Sequence, residues 1–285
     1  MRAVAARTLG AFADQEAVIT GGSEGIGYAV AAELAGCARR LTLLARDPEK
    51  LKRAAASLRS EWLAADVRSL SEVASSRLAQ ASLLVCCAGE MTPGRAAELT
   101  QADYQRQMDI NFVGAVNCVR AALPHMVGRG GGTIVLVSST AGLLGIYGYS
   151  AYGATKAAVA NYAACLRAET ASTGVRIVTA YPPDTETPGL RRERALRPAE
   201  TEAIAGAIAA KSAQQVAARL VRGAARGQTR ITFDATTAAL VGYSSVIDRL
   251  FTAYSARRLR RIGAAPGEPR ADLVTGRAAQ KGHQP

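Results

Sequence analysis

The sequence predicts an α/β fold, a doubly wound parallel sheet in three layers (α/β/α) forming a single domain. Three observations carry this. Short apolar runs alternate with helical stretches along the chain, the pattern of parallel strands joined by crossover helices. The first run, Ala17-Val18-Ile19-Thr20, leads at once into Gly21-Gly22-Ser23-Glu24-Gly25-Ile26-Gly27, and a helical composition follows from Tyr28 to Leu34. The chain has 285 residues, 49% of them apolar, which is enough for one substantial core.

Taken in order, the strand after that first unit is expected at Leu41–Ala45. Others follow at Trp62–Ala65, Leu83–Cys87, Thr133–Ser138, Arg176–Tyr181 and Arg230–Phe233. Each is short and mostly apolar, as suits strands covered on both faces. There is no internal repeat and no linker before about residue 262. The domain is therefore placed at 1–262. Gly263-Ala264-Ala265-Pro266-Gly267-Glu268-Pro269 opens a tail, 263–285, with little to bury, and disorder is expected there.

The strand, glycine-rich turn and helix form an anion cradle. Glycines let backbone approach a pyrophosphate, and a helix N-terminus offers free N–H groups with a partial positive charge. The spacing is Thr-Gly-x-x-x-Gly-x-Gly rather than G-x-G-x-x-G.

A second constellation lies downstream. Tyr152 and Lys156 in Tyr152-Gly153-Ala154-Thr155-Lys156 share one face of a helix, one turn apart. An ammonium beside a phenol favours the phenolate and should lower its pKa from about 10. Ser139 lies thirteen residues upstream and could donate to a carbonyl oxygen at the same point. Ser138 is adjacent, and alternation along a strand end means that only one of the two serines should face the site.

These motifs together resemble the short-chain dehydrogenase/reductase superfamily over roughly residues 14 to 233. The resemblance also takes in Asp66 after the third strand, Ala88-Gly89 after the fourth, and Asn111 in the long helix. It implies a Rossmann-type sheet and hydride transfer, with Tyr152 as general acid in reduction, assisted by Lys156 and by Ser139 or Ser138. Asn111 would complete a proton relay through water. The implied dinucleotide contacts are Gly21, Ser23, Glu24, Gly25, Ile26, Gly27, Arg46, Lys50, Asp66, Val67, Ala88, Gly89, Tyr152, Lys156, Pro182, Thr185 and Thr187. Many relatives have Asn-Asn-Ala-Gly where this chain has Cys86-Cys87-Ala88-Gly89. A catalytic thiol is not expected there, since nothing nearby in sequence would lower its pKa.

The second strand ends in Arg46, where an acid would favour NAD by accepting the ribose hydroxyls. Arg46, with Lys50 beyond it, suits a 2′-phosphate, so NADPH is expected. Glu24 argues the other way unless it faces solvent or pairs with Arg46.

Tyr181-Pro182-Pro183-Asp184-Thr185-Glu186-Thr187-Pro188 closely resembles the corresponding loop of 3-ketodihydrosphingosine reductases. The implied reaction reduces the C3 ketone of a long-chain 2-amino-3-keto alcohol to a sphinganine-type base in sphingolipid biosynthesis. Two alternatives stay open: a reductase of another carbonyl, such as a 3-oxoacyl thioester or steroid, and a dinucleotide-binding sensor or scaffold without chemistry. A lid over 189–212 is permitted by Gly189 and the alanine-rich stretch that follows.

The formal charge of +12 is uneven. Residues 1–190 carry 18 basic and 16 acidic side chains, and residues 191–285 carry 17 and 7. The basic excess therefore lies in the C-terminal third, without a nucleic-acid-binding motif. In 235–262 an apolar stretch precedes Arg257, Arg258, Arg260 and Arg261. It is too short to span a bilayer and reads equally as a peripheral membrane contact or as an oligomer-interface helix. A homodimer or homotetramer is implied by the family resemblance. Five cysteines at no metal-ligand spacing, with only His125 and His283, point away from a metal site. Met1–Ala13 lacks a long apolar core, so no signal peptide is expected and a reducing cytoplasm is the consistent setting.

Overall fold

The computed structural model describes residues 10–74, 77–205 and 209–262. The tail expected at 263–285 lies outside the described residues. The main sheet has seven parallel strands in the order β3-β2-β1-β4-β5-β6-β9. They are β1 (Glu16–Thr20), β2 (Arg40–Ala45), β3 (Glu61–Ala64), β4 (Leu83–Cys86), β5 (Gly132–Val137), β6 (Val175–Ala180) and β9 (Arg230–Ile231). All seven expected strands are present, most within a residue of the expected ends. β9 is shorter than expected because Asp234 begins a helix: it exchanges capping bonds with Thr237, whose hydroxyl also accepts from Phe233 N at 2.8 Å.

Side chains alternate between two cores, one on each face of the sheet. Ala17 and Ile19 of β1 join one core with Val135 and Val137 of β5, whereas Val18, Ile134 and Leu136 join the other. Helices α1 (Gly25–Leu34) and α2 (Pro48–Leu58) cover the first face together with α9 (Ala213–Ala225). The second face is covered by α3 (Leu70–Ala74), α5 (Gly114–Gly128) and α6 (Ser150–Glu169). Edge strand β3 is the exception to burial: Trp62 is 40% exposed, with the Lys52 ammonium 5.9 Å from its ring centre.

The strand order reverses between β1 and β4, so a crevice opens at their C-terminal ends. Gly21–Gly27, Ala88-Gly89, Ser139 and Pro182 follow β1, β4, β5 and β6 respectively, and so gather there.

A second, two-stranded parallel pair, β7 (Thr185–Glu186) with β8 (Lys211–Ser212), was not legible in the sequence. It closes the base of an excursion carrying α7 (Pro188–Arg194) and α8 (Ala199–Ala205). Helix α10 (Ala235–Arg261) ends the described chain, with a kink at Tyr243.

Candidate active site

At the cofactor end, Gly21 adopts φ 66°, and a Cβ there would lie 2.9 Å from Ala88 N. Gly27 is tighter: its Cβ would fall 2.3 Å from the Gly21 carbonyl. Glycine is thus required for the turn to pass between β1 and β4. Ala88 N donates to Thr20 Oγ1 at 3.1 Å, tying the two strand ends together. Helix α1 has no side-chain cap at its start, so its first N–H groups stay free for an anion. The residues present therefore fit a dinucleotide pyrophosphate, with Ser23 and Gly25 on the turn and Ile26 packed into the core beneath it.

Glu24 does not pair with Arg46. Its carboxylate accepts from Lys50 at 3.2 Å and from Arg192 of α7 at 2.5 Å, and these cations hold it below the usual carboxylate range against the opposing pull of burial. Lys50 is therefore engaged by Glu24 rather than free. Arg46 is exposed and makes no ion pair among the described residues. Asp66 is gripped by Arg68, with Nε and the second guanidinium nitrogen 2.9 and 2.6 Å from Oδ2. The Val67 side chain is buried against Gly114, where a Cβ would come within 2.6 Å, which leaves its backbone as the part able to meet a dinucleotide.

At the reaction end, Ser139 starts the turn after β5 and accepts from Ala141 N at 3.2 Å. It also faces the Tyr152 phenol closely enough to favour its ionised form. Ser138 is corrected: it is buried, and its hydroxyl donates to the Lys156 carbonyl at 2.7 Å, anchoring α6 to β5. Lys156 is buried and its ammonium donates to the Val137 carbonyl at 3.0 Å. It lies 5.6 Å from the centre of the Tyr152 ring.

Burial reverses the expected acidification of Tyr152 by Lys156. It pushes the phenol up to about 12, against the influence of Ser139, and the Asp184 and Glu193 carboxylates push the same way. Burial also pushes Lys156 down to about 8. The phenol is consequently protonated at neutral pH, the state needed to deliver a proton to a carbonyl oxygen.

Asn111 sits in a π-turn, Asp109–Val113, between α4 (Gln101–Met108) and α5. Its amide oxygen accepts from Glu90 N at 2.7 Å, and its nitrogen donates to the Glu90 carbonyl at 2.9 Å and to Thr155 Oγ1 at 3.0 Å. The side chain thus clamps the segment after Gly89 onto α6.

The loop after β6 adjoins the serine, since Thr140 N donates to the Pro182 carbonyl at 3.3 Å. Thr185 is buried, and its hydroxyl donates to the Pro183 carbonyl at 2.8 Å, closing the turn. Thr187 caps α7 by accepting from Leu190 N at 3.0 Å, and its side chain lies against Gly25. Cys86 is buried beside Cys118, which together with burial pushes it up, and burial pushes the neighbouring Cys87 up to about 12, so both remain thiols. A cavity of about 440 Å³ lined in part by Pro93, Leu99, Leu196 and Pro198 includes none of Ser139, Tyr152 or Lys156.

A family model described as short chain dehydrogenase matches residues 15–197. The chain belongs to this family. As a short-chain dehydrogenase it is an oxidoreductase that binds a nicotinamide dinucleotide and acts on a ketone or alcohol. A mouse protein named 3-ketodihydrosphingosine reductase is 35% identical over 226 residues, covering 74% of this chain and 68% of its own. A zebrafish 3-dehydrosphinganine reductase is 34% identical over 232 residues, covering 76% and 70%. Among solved structures, a short chain dehydrogenase/reductase family protein superposes with a TM-score of 0.69 at 26% identity, over 77% of this chain and 95% of that one.

Sequence reasoning missed Arg68, Arg192, Glu193 and Arg197 of this short-chain dehydrogenase. Only the four-residue spacing of Glu193 and Arg197 carried a signal, that of a helical ion pair.

Proposed function

We propose that this chain uses NADPH to reduce the C3 ketone of 3-ketodihydrosphingosine to sphinganine. What carries the reading is a protonated phenol at Tyr152 beside Ser139 at the crevice, in a chain 34–35% identical to reductases with that name over about three quarters of its length. A bound nicotinamide supplies the hydride to C3. Ser139 holds the ketone oxygen, Tyr152 gives it a proton, and Lys156 holds the ribose. The products are the alcohol, the oxidised coenzyme and the Tyr152 phenolate, which regains its proton from solvent, so atoms and charge balance.

Arg46 supports the 2′-phosphate form, being an unpaired cation at the end of β2. Glu24, neutralised by Lys50 and Arg192, no longer opposes it. Initial rates of coenzyme oxidation test both parts of the reading. With 3-ketodihydrosphingosine, kcat/KM is expected to be at least about tenfold higher with NADPH than with NADH, the worth of one charge-assisted contact. It should likewise exceed kcat/KM for a 3-oxoacyl thioester. Equal values for the two coenzymes sink the coenzyme assignment, and equal values for the two ketones sink the substrate.

A homodimer or homotetramer through the helices bearing Asn111 and Tyr152 is part of the same reading. So is a peripheral membrane contact through α10. Among the described residues no helix is long and apolar enough to cross a membrane. Val246, Leu250 and Tyr254 form an exposed stripe at helical spacing, 51–67% exposed, and Arg257, Arg260 and Arg261 follow it. Arg258, also exposed, donates to the Ala203 carbonyl at 3.2 Å. Co-sedimentation with phosphatidylglycerol vesicles, reduced by Leu250→Glu and absent with neutral lipid, is expected. Equal recovery with both lipids counts against the contact.

A further inference from the structure

Behind Tyr152 lies a buried ionic cluster that the proposed chemistry does not use directly. Tyr149 stands three residues earlier at the start of α6, and its ring meets that of Tyr152 edge to face, with centroids 6.3 Å apart. The Tyr149 hydroxyl donates to Glu193 Oε1 at 2.8 Å. Arg197 grips both oxygens of Glu193, from Nε at 2.8 Å and from a terminal nitrogen at 2.7 Å. The side chains of Glu193 and Arg197 are 1% and 2% exposed. Arg197 also stacks 5.9 Å from the centre of the Tyr149 ring and reaches Asp184 at 3.3 Å and Glu202 at 3.2 Å.

A buried ion pair is weak evidence for stability, because desolvation offsets much of the attraction. An apolar pair would clamp α7 onto α6 as well. What an apolar pair would not supply is charge next to the phenol. We propose that the Glu193–Arg197 pair is a positioning device that, through Tyr149, orients Tyr152 and sets how readily it exchanges its proton. This rests on the reading of Tyr152 as the acid.

The groups facing Tyr152 come from every side. They are Ser139 from the turn after β5, Lys156 and Tyr149 on α6 itself, Asp184 from the loop after β6, Glu193 on α7, and Arg197 just beyond it. The two carboxylates raise the phenol and Ser139 lowers it. Arg197 bonds both carboxylates and limits their effect. The pair therefore makes predictions of opposite sign. Glu193→Gln removes a negative charge and should ease phenol ionisation. Arg197→Gln exposes Tyr152 to two uncompensated carboxylates and should hinder it.

The pH profile of alcohol oxidation reads this directly, since oxidation needs the phenolate. Its midpoint is expected to fall by about half a pH unit or more in Glu193→Gln and to rise comparably in Arg197→Gln, returning near the parent value in the double variant. Tyr149→Phe, which leaves the ion pair intact, is expected to lower kcat about 3–10-fold with KM for the coenzyme unchanged. Midpoints that stay fixed or move in the same direction overturn the proposal in favour of a purely structural clamp. If the charge variants fail to fold, Tyr149→Phe decides alone, and an unchanged kcat overturns it. Tyr152→Phe assayed alongside separates the two levels: turnover surviving there removes the acid reading itself.

Discussion

Tyr152→Phe is expected to lower kcat by about 10²–10⁴ while coenzyme binding stays within about threefold of the parent. The substitution keeps the ring that meets Tyr149 edge to face and lies under the Lys156 ammonium. It deletes one hydroxyl, the proton donor and the neighbour of Ser139. Ser139 retains its bond from Ala141 N, so no buried serine is orphaned and stability should change by no more than about 1 kcal/mol. The phenol is protonated across the neutral range, so the parent rate of reduction should not depend on generating the acid form. Coenzyme titration by fluorescence and single-turnover rates together make the test. Parent-like turnover excludes Tyr152 as the acid, and loss of binding in step with turnover assigns it to holding the coenzyme instead.

The sheet was legible because its information is local. Apolar runs, the glycine turn and the helical spacing of Tyr152 and Lys156 each lie within a few residues. The capping box Asp234–Thr237, which shortens β9, was equally local but was overlooked. Other features depend on residues far apart in sequence. Arg192 reaches Glu24 across 168 positions, and Tyr149 meets Glu193 across 44. No periodicity announces such a pair. The electrostatics failed for a different reason. Tyr152 and Lys156 share a helix face as expected, and the ammonium bonds the Val137 carbonyl 5.6 Å from the ring centre, but burial dominates the phenol. Spacing fixed their neighbourhood, while burial decided their charge states. Alternation requires Ser138 and Ser139 to diverge, the thirteen-residue spacing to Tyr152 favours Ser139 as the one facing the site, and packing turns Ser138 to α6.

Lys156→Met should abolish turnover and yet stabilise the coenzyme-free protein at pH 7. The lysine is 6% exposed, and burial lowers it from 10.5 to about 8. Below pH 8 the folded chain must carry that buried cation, whereas the unfolded chain holds the same proton in water. The gap corresponds to a destabilisation on the order of 3 kcal/mol. Between about pH 8 and 10.5 the unfolded state binds more protons, so stability rises with pH as the cost disappears. Methionine fills a similar volume without charge but forfeits the bond to the Val137 carbonyl, which offsets about 1–2 kcal/mol. The net expectation at pH 7 is a gain of about 1–2 kcal/mol, shrinking toward zero or below near pH 10.5. Tyr152, raised to about 12, pulls stability the other way above its ordinary value, but it is present in both proteins and largely cancels in the difference. Thermal melts of parent and variant at both pH values measure this. A lower melting temperature for the variant at pH 7 would mean that the bond to Val137 outweighs the cost of burying the charge. The expected gain instead marks Lys156 as a residue held at the crevice against folding stability.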